Sequence, residues 1–132
     1  MSGPVKGREA MIAGMNPCLD PQPWVFCTGG PAHAEALGTF REGEGLSQIL
    51  PLEAARAAGH DVSLPMARIV LEVHSALDGT GLTAAVAGAL ADAGIACNMV
   101  AAYHHDHAFV PEGDGPRALA ILQRLQADGR GA

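Results

Sequence analysis

Asp78-Gly79-Thr80-Gly81 stand where an apolar, extended run gives way to a helix-forming one. A helix start holds backbone N–H groups without intrahelical partners at the positive end of its dipole, so it attracts anions. Two glycines leave that backbone open to a carboxylate, and Asn98 on the following strand is the polar side chain expected to orient such a guest. The alternative is ordinary capping, with Asp78 or Thr80 satisfying the amides. On the residues alone both readings stand. A second cluster is His104-His105-Asp106-His107. His105 and His107 are two apart and share one side of a strand. If the strand bearing His74 lies antiparallel beside it, a third imidazole reaches the same end of the sheet. Three imidazoles with Asp106 have the composition of a zinc or nickel site. The same groups equally suit a hydrogen-bonded polar turn, or contacts to a small ligand.

Signs of catalysis are thin. Lys6 is the only lysine, so no glycine-rich loop carries the lysine of a phosphate cradle. Ser47, Ser63 and Ser75 lack the surroundings of a nucleophile elbow. Cys27 and Cys97 fall in apolar runs and read as small buried side chains. His74 with Cys97 lacks a third member for a nucleophilic set. Arg41, Glu42 and Glu44 read as a solvated charged hairpin. The expectation is a protein that is not an enzyme and needs no cofactor and no metal.

The elements that must position these groups follow from 132 residues, 48% hydrophobic and 17% charged, with a net charge of -6. That length suits one domain or two very small ones. An acidic, aromatic-poor surface repels phosphate backbones, which argues against a nucleic-acid partner. No charge-free stretch approaches the roughly 20 apolar residues of a membrane span, and the first residues do not form a secretory signal. Three widely spaced cysteines, an odd number, point to free thiols in a reducing cytoplasm.

Residues 5–15 are weakly helical until Asn16-Pro17. Trp24 to Thr28 reads as a strand between prolines and Gly29-Gly30. Leu37 to Arg41 and Leu46 to Leu50 form a hairpin over Glu42-Gly43-Glu44-Gly45, and Leu52 to Ala58 a short helix ended by Gly59. Ala67 to Ser75 is a strand with Ile69, Leu71 and Val73 on one face. A helix over Leu82 to Ala93, strands over Ile95 to Tyr103 and His107 to Val110, and a helix over Pro116 to Gln126 follow. This is an α+β plait without its final strand, preceded by a similar plan without its first helix. Halves of about 65 residues are marginal alone, so they are expected to share one sheet, with units at 1–62 and 63–132 and a seam near Ala67 to Ser75. The helix from Leu82 is apolar all round, with Ala84, Ala85, Ala87, Gly88 and Ala91 opposite its core face. It is expected to be covered by the other half or by a second copy in a homodimer.

Gly81-Leu82-Thr83-Ala84-Ala85-Val86, Ala93-Gly94-Ile95, Cys97-Asn98, Val100-Ala101-Ala102-Tyr103, His105-Asp106-His107 and Phe109-Val110-Pro111, with Thr39-Phe40-Arg41-Glu42, Gly45-Leu46 and Val73-His74-Ser75, resemble a bacterial family of small proteins with tandem ACT-like domains. The resemblance spans Trp24 to Pro111. It implies ferredoxin-like βαββαβ units, the first truncated, in a non-catalytic regulatory module that binds an amino acid and acts on a separate enzyme. It also implies a ligand site at Asp78, Gly79, Gly81, Leu82 and Asn98, with His74, His105 and His107 as further candidates. Thr80 stands where many such domains have proline. The competing expectation is a dimeric scaffold with no small ligand.

Overall fold

The computed structural model describes residues 3–131. Eleven elements matter here: α1 (Arg8–Ala13), β1 (Cys18–Leu19), β2 (Trp24–Thr28), β3 (Gly38–Glu42), β4 (Gly45–Pro51), α2 (Leu52–Ala57), β5 (Met66–Leu71), α3 (Leu82–Asp92), β6 (Asn98–Ala101), β7 (Asp106–Pro111) and α4 (Gly115–Gly131). Sequence chemistry sets several of their ends. Gly45, at φ 145°, takes the turn between β3 and β4, and Gly94, at φ 75°, ends the segment of α3 as expected. Three elements differ clearly in length from their sequence reading, β6 among them, since the strand expected over Ile95 to Tyr103 covers only Asn98–Ala101. The strand expected to reach Ser75 ends its ladder at Leu71, and α4 continues well past Gln126.

One continuous antiparallel sheet runs β3-β4-β2-β5-β7-β6, with β1 also paired to β5. The plait missing its last strand is therefore completed from the other end of the chain. Cys18 and Leu19 lie antiparallel against Val70 and Ile69, on the edge of β5 opposite β7. The same edge meets β2 at Trp24–Met66. β5 thus closes the first unit and opens the second, which is the shared seam anticipated from element order. The expected boundary after residue 62 falls in the connection between α2 and β5.

Alternation along β5 and β7 sorts the two faces. Ala67, Ile69, Leu71, Ala108 and Val110 are buried in the main core with Met11, Ile12, Met15, Leu82, Val86, Leu90, Ala118 and Leu122 of the helical layer. A smaller core joins Val25, Cys27 and Leu50 to Ala55 of α2. The opposite face has its own cluster, Trp24, Met66 and Phe109 with Ile49 and Val100, made only of strand residues. Phe26, Phe40 and Ile49 share an apolar hollow with Val100, although β3 and β6 end the strand order on opposite sides. The sheet therefore curls so that this bare face is concave.

The expected covering of α3 by the other half is not found. Leu82, Val86 and Leu90 face the core, while Thr83, Ala84, Gly88 and Ala91 are exposed. The first unit instead joins the second through the sheet, on the face away from this helix surface.

Candidate functional site

The loop from Asp78 leads to Gly81, the N-cap of α3, which stands at φ 103° and receives no side-chain cap. Neither Asp78 nor Thr80 acts as the cap that the alternative reading required. The Asp78 carboxylate turns outward to Lys6 Nζ at 3.0 Å, and the hydrogen bond and charge of that ammonium hold its carboxyl below the usual range. The segment carrying Lys6 lies along the loop as a strap. The Val5 amide donates to the His74 carbonyl at 2.6 Å, and the Ala76 amide donates to the Val5 carbonyl at 2.7 Å. A Cβ built on Gly81 would stand 2.6 Å from Arg8 Cδ, so the aliphatic part of Arg8 passes directly over that glycine. A Cβ on Gly79 would meet the Lys6 carbonyl at 3.0 Å. Gly79 is therefore needed for close backbone approach and Gly81 for its positive φ beneath the Arg8 side chain, and two cationic side chains sit beside the helix start.

Beneath the strap is a cavity of about 130 Å³, lined by Gly79, Gly81, Leu82 and Thr83 on one side and Ser75, Ala101 and Asp106 on the other. Ser75 was not foreseen as a site residue, and Asp106 was considered only as a metal ligand beside the histidines. Ser75 Oγ donates to Asp106 Oδ2 at 2.9 Å, and Asp106 is buried although it is a carboxylic acid. Its position at the start of β7, opposite Leu71 at the end of β5, was implicit in the antiparallel pairing of these strands. Helix amides on one wall and a carboxylate on the other give the cavity opposite polarities across a short span. At the volume of water in the liquid, it holds about four molecules' worth of space, the size of a small amino acid.

Asn98 does not join this corner within the chain. It opens β6 opposite Phe109, which is itself opposite Arg68 near the beginning of β5. The loop follows the other end of β5. Asn98 instead lines a separate cavity with Phe26, Thr28, His60 and Asp61.

The histidines divide. His74 does reach the hairpin, where its ring centroid is 5.2 Å from that of His104 and 6.2 Å from that of Tyr103. His105 has its Nδ1 buried without a hydrogen-bond partner among the described residues. His107 points along the bare face toward Arg68, with 3.5 Å between Nη1 and Nδ1. Among the described residues no group of three or more His, Cys, Asp or Glu is placed to hold a metal ion, so the metal alternative lacks its geometry. Burial, then the charges of Arg68 and His105, push the His107 pKa below its ordinary 6.5, with Asp106 opposing them. The sign follows: the unfolded chain takes up this proton more readily, so acid favours unfolding. Stability is expected to fall as the pH drops below about 6.5, and His107→Gln should flatten that limb. Urea midpoints across pH for the two proteins check this; parallel curves would refute it.

A plait whose first long helix opens on a bare glycine loop is the architecture of the ACT domain. Two ACT-domain family models match the chain, over residues 7–67 and 66–124. A crystal structure of a protein of unknown function from Vibrio cholerae, described as a possible transport protein, is 40% identical over 89% of this chain and 94% of that one, with a TM-score of 0.79. The chain belongs to this family of small tandem ACT-domain proteins. The same fold is found in a protein from Agrobacterium tumefaciens, at 19% identity over 80% of this chain and 84% of that one, with a TM-score of 0.63. It is found again in the regulatory subunit of aspartate kinase from Thermus flavus, at 11% identity over 83% and 95%, with a TM-score of 0.59. Comparison with curated proteins gave no match.

Proposed function

We propose that this chain is a non-catalytic regulatory ACT module that binds a small α-amino acid at the start of α3 and acts through a separate partner enzyme. The observation that carries the reading is the helix start at Gly81, uncapped by any side chain, facing the Ser75–Asp106 pair across a cavity of about 130 Å³. The amino acid's carboxylate meets the amides of α3 and the positive end of its dipole. Its ammonium meets the Asp106 carboxylate, supported by Ser75. Gly79, Gly81 and Leu82 shape the carboxylate end, with Arg8 beside Gly81, while Asp78 stays outside the cavity, paired to Lys6. The cavity favours glycine, alanine or serine over aromatic amino acids.

The likeness to an aspartate kinase regulatory subunit supports the regulatory role through the fold, and three free cysteines fit a cytoplasmic setting. The exposed small residues of α3 suit close approach of a second copy, the homodimer form of the same reading.

Thermal shift against the twenty amino acids tests the proposal, because a ligand at 100 times its Kd adds about 2.7 kcal/mol of stability. A small amino acid should raise the melting point, and Asp106→Asn should abolish the rise while leaving the circular dichroism unchanged. No rise with any amino acid at millimolar concentration would return the chain to the scaffold reading.

A further inference from the structure

The ladder between β2 and β5 stops after a single pair. Trp24 stands against Met66; continued in register, Phe26 would meet Leu64 and Thr28 would meet Val62, but neither pair forms. Two hydrogen bonds fix the direction of the backbone groups along β2. The Leu52 amide donates to the Pro23 carbonyl, and the Gly29 amide donates to the Leu46 carbonyl, both at 3.1 Å. Residues 23, 25, 27 and 29 therefore turn their amides and carbonyls toward β4, and Phe26 and Thr28 turn theirs to the other edge. Among the described residues no hydrogen bond meets those groups there.

That edge borders a cavity of about 530 Å³, whose far wall is the segment from His60 to Leu64 and whose floor includes Met66 and Asn98. The volume lies within the roughly 300–1,000 Å³ typical of small-molecule sites. Two outward-facing residues in a strand span about 7 Å, enough to pair with the main chain of a short peptide and longer than one amino acid requires. Phe26, Leu64 and Met66 offer apolar contact to its side chains. Asp61 stands at the Thr28 end, its Oδ1 accepting the Ser63 amide at 2.9 Å. A chain antiparallel to β2 begins at that end, so its N-terminal ammonium arrives beside this carboxylate.

We propose that the open edge of β2 binds a short peptide with a free N-terminus, added as an antiparallel strand through the amides and carbonyls of Phe26 and Thr28. This is strand addition within a cleft of one chain. It is independent of the amino-acid site at α3, which lies at the other end of β5.

The probe is the tripeptide Ala-Leu-Ala, followed by amide hydrogen exchange and NMR shifts of the full chain. Adding it should slow exchange at the Phe26 and Thr28 amides. Methylating the nitrogen of the peptide's third residue, the amide that would donate to the Phe26 carbonyl, should weaken binding about tenfold, the equivalent of one hydrogen bond. Thr28→Pro removes the amide donor that faces the cleft, in a strand position that keeps its β4 pairing through Cys27 and Gly29, and should have a similar effect. Asp61→Asn should weaken the free peptide and leave its N-acetylated form unchanged. Amides already protected without peptide, no shift at millimolar peptide, or equal binding of the N-methylated form would each overturn the proposal. Should Thr28→Pro fail to fold, the methylated peptide still decides. Glycine, alanine or serine bound at α3 should not displace the tripeptide, so either site can fail without the other.

Discussion

Phe109→Ala is expected to destabilise the protein by about 3–5 kcal/mol, the range for removing a fully buried aromatic side chain. Phe109 has no exposed surface, and with Trp24 and Met66 it forms the cluster that ties the first unit to the second on the concave face. Its ring also meets Phe26 edge-on, with centroids 5.2 Å apart, a contact between β7 and β2 that spans the seam. No helix lies behind this cluster to move in and refill the space. Trp24 is the only tryptophan, so its fluorescence reports on the seam directly. Urea unfolding should show a lower midpoint by both fluorescence and circular dichroism. A change below about 1 kcal/mol would mean that the seam does not depend on this ring.

Asp20→Ala should cost about 2–4 kcal/mol. This is slightly below the usual cost of breaking a buried ion pair, because both partners keep some contact with water. Asp20 Oδ2 accepts from Trp24 Nε1 at 2.9 Å, from Arg68 Nε at 3.0 Å and from Arg68 Nη2 at 2.9 Å, and its Oδ1 accepts the Gln22 amide at 2.9 Å. The Arg68 guanidinium also lies 5.2 Å from the centre of the Trp24 ring. Removing the carboxylate strands this cation, at 18% side-chain exposure, next to His107. A double-mutant cycle with Arg68→Met should show coupling above about 1 kcal/mol, and additive effects would refute the pairing. Burial pushes the Asp20 pKa upward, but the Gln22 amide, the Trp24 indole and Arg68 together outweigh it and hold it below 3.8. This stability is therefore present above the unfolded value and is lost as the pH falls below it.

Much of the fold was legible because local chemistry and tertiary structure agree. Prolines on one side and glycines on the other mark the ends of β2, and Gly81 and Gly94 bracket α3. The strand that completes the second plait was not legible. It is only Cys18–Leu19, with Asn16-Pro17 before it and Pro21 after it, and no period-2 pattern can show in two residues. The Asp20–Arg68 pair was invisible for a different reason, since its members are 48 residues apart and meet only when β1 docks on β5. Half of the candidate site was readable from the glycines of the loop. Its opposing half, Ser75 with Asp106, joins two segments 31 residues apart, one read for a nucleophile context and the other for metal ligands. Asn98 was expected beside the loop but opens β6 at the far end of the sheet, as the connectivity already implied. A strand, a returning helix and a second strand begin the last of these beside the start of the first, remote from the intervening loop.

The exchange of strands across β5 bears on how such a chain can be inherited. A gene cut where the two family matches meet would encode one product lacking its closing strand and another lacking the short piece at Cys18–Leu19. Neither product would carry its unit whole, so the two are expected to persist only as a joined pair.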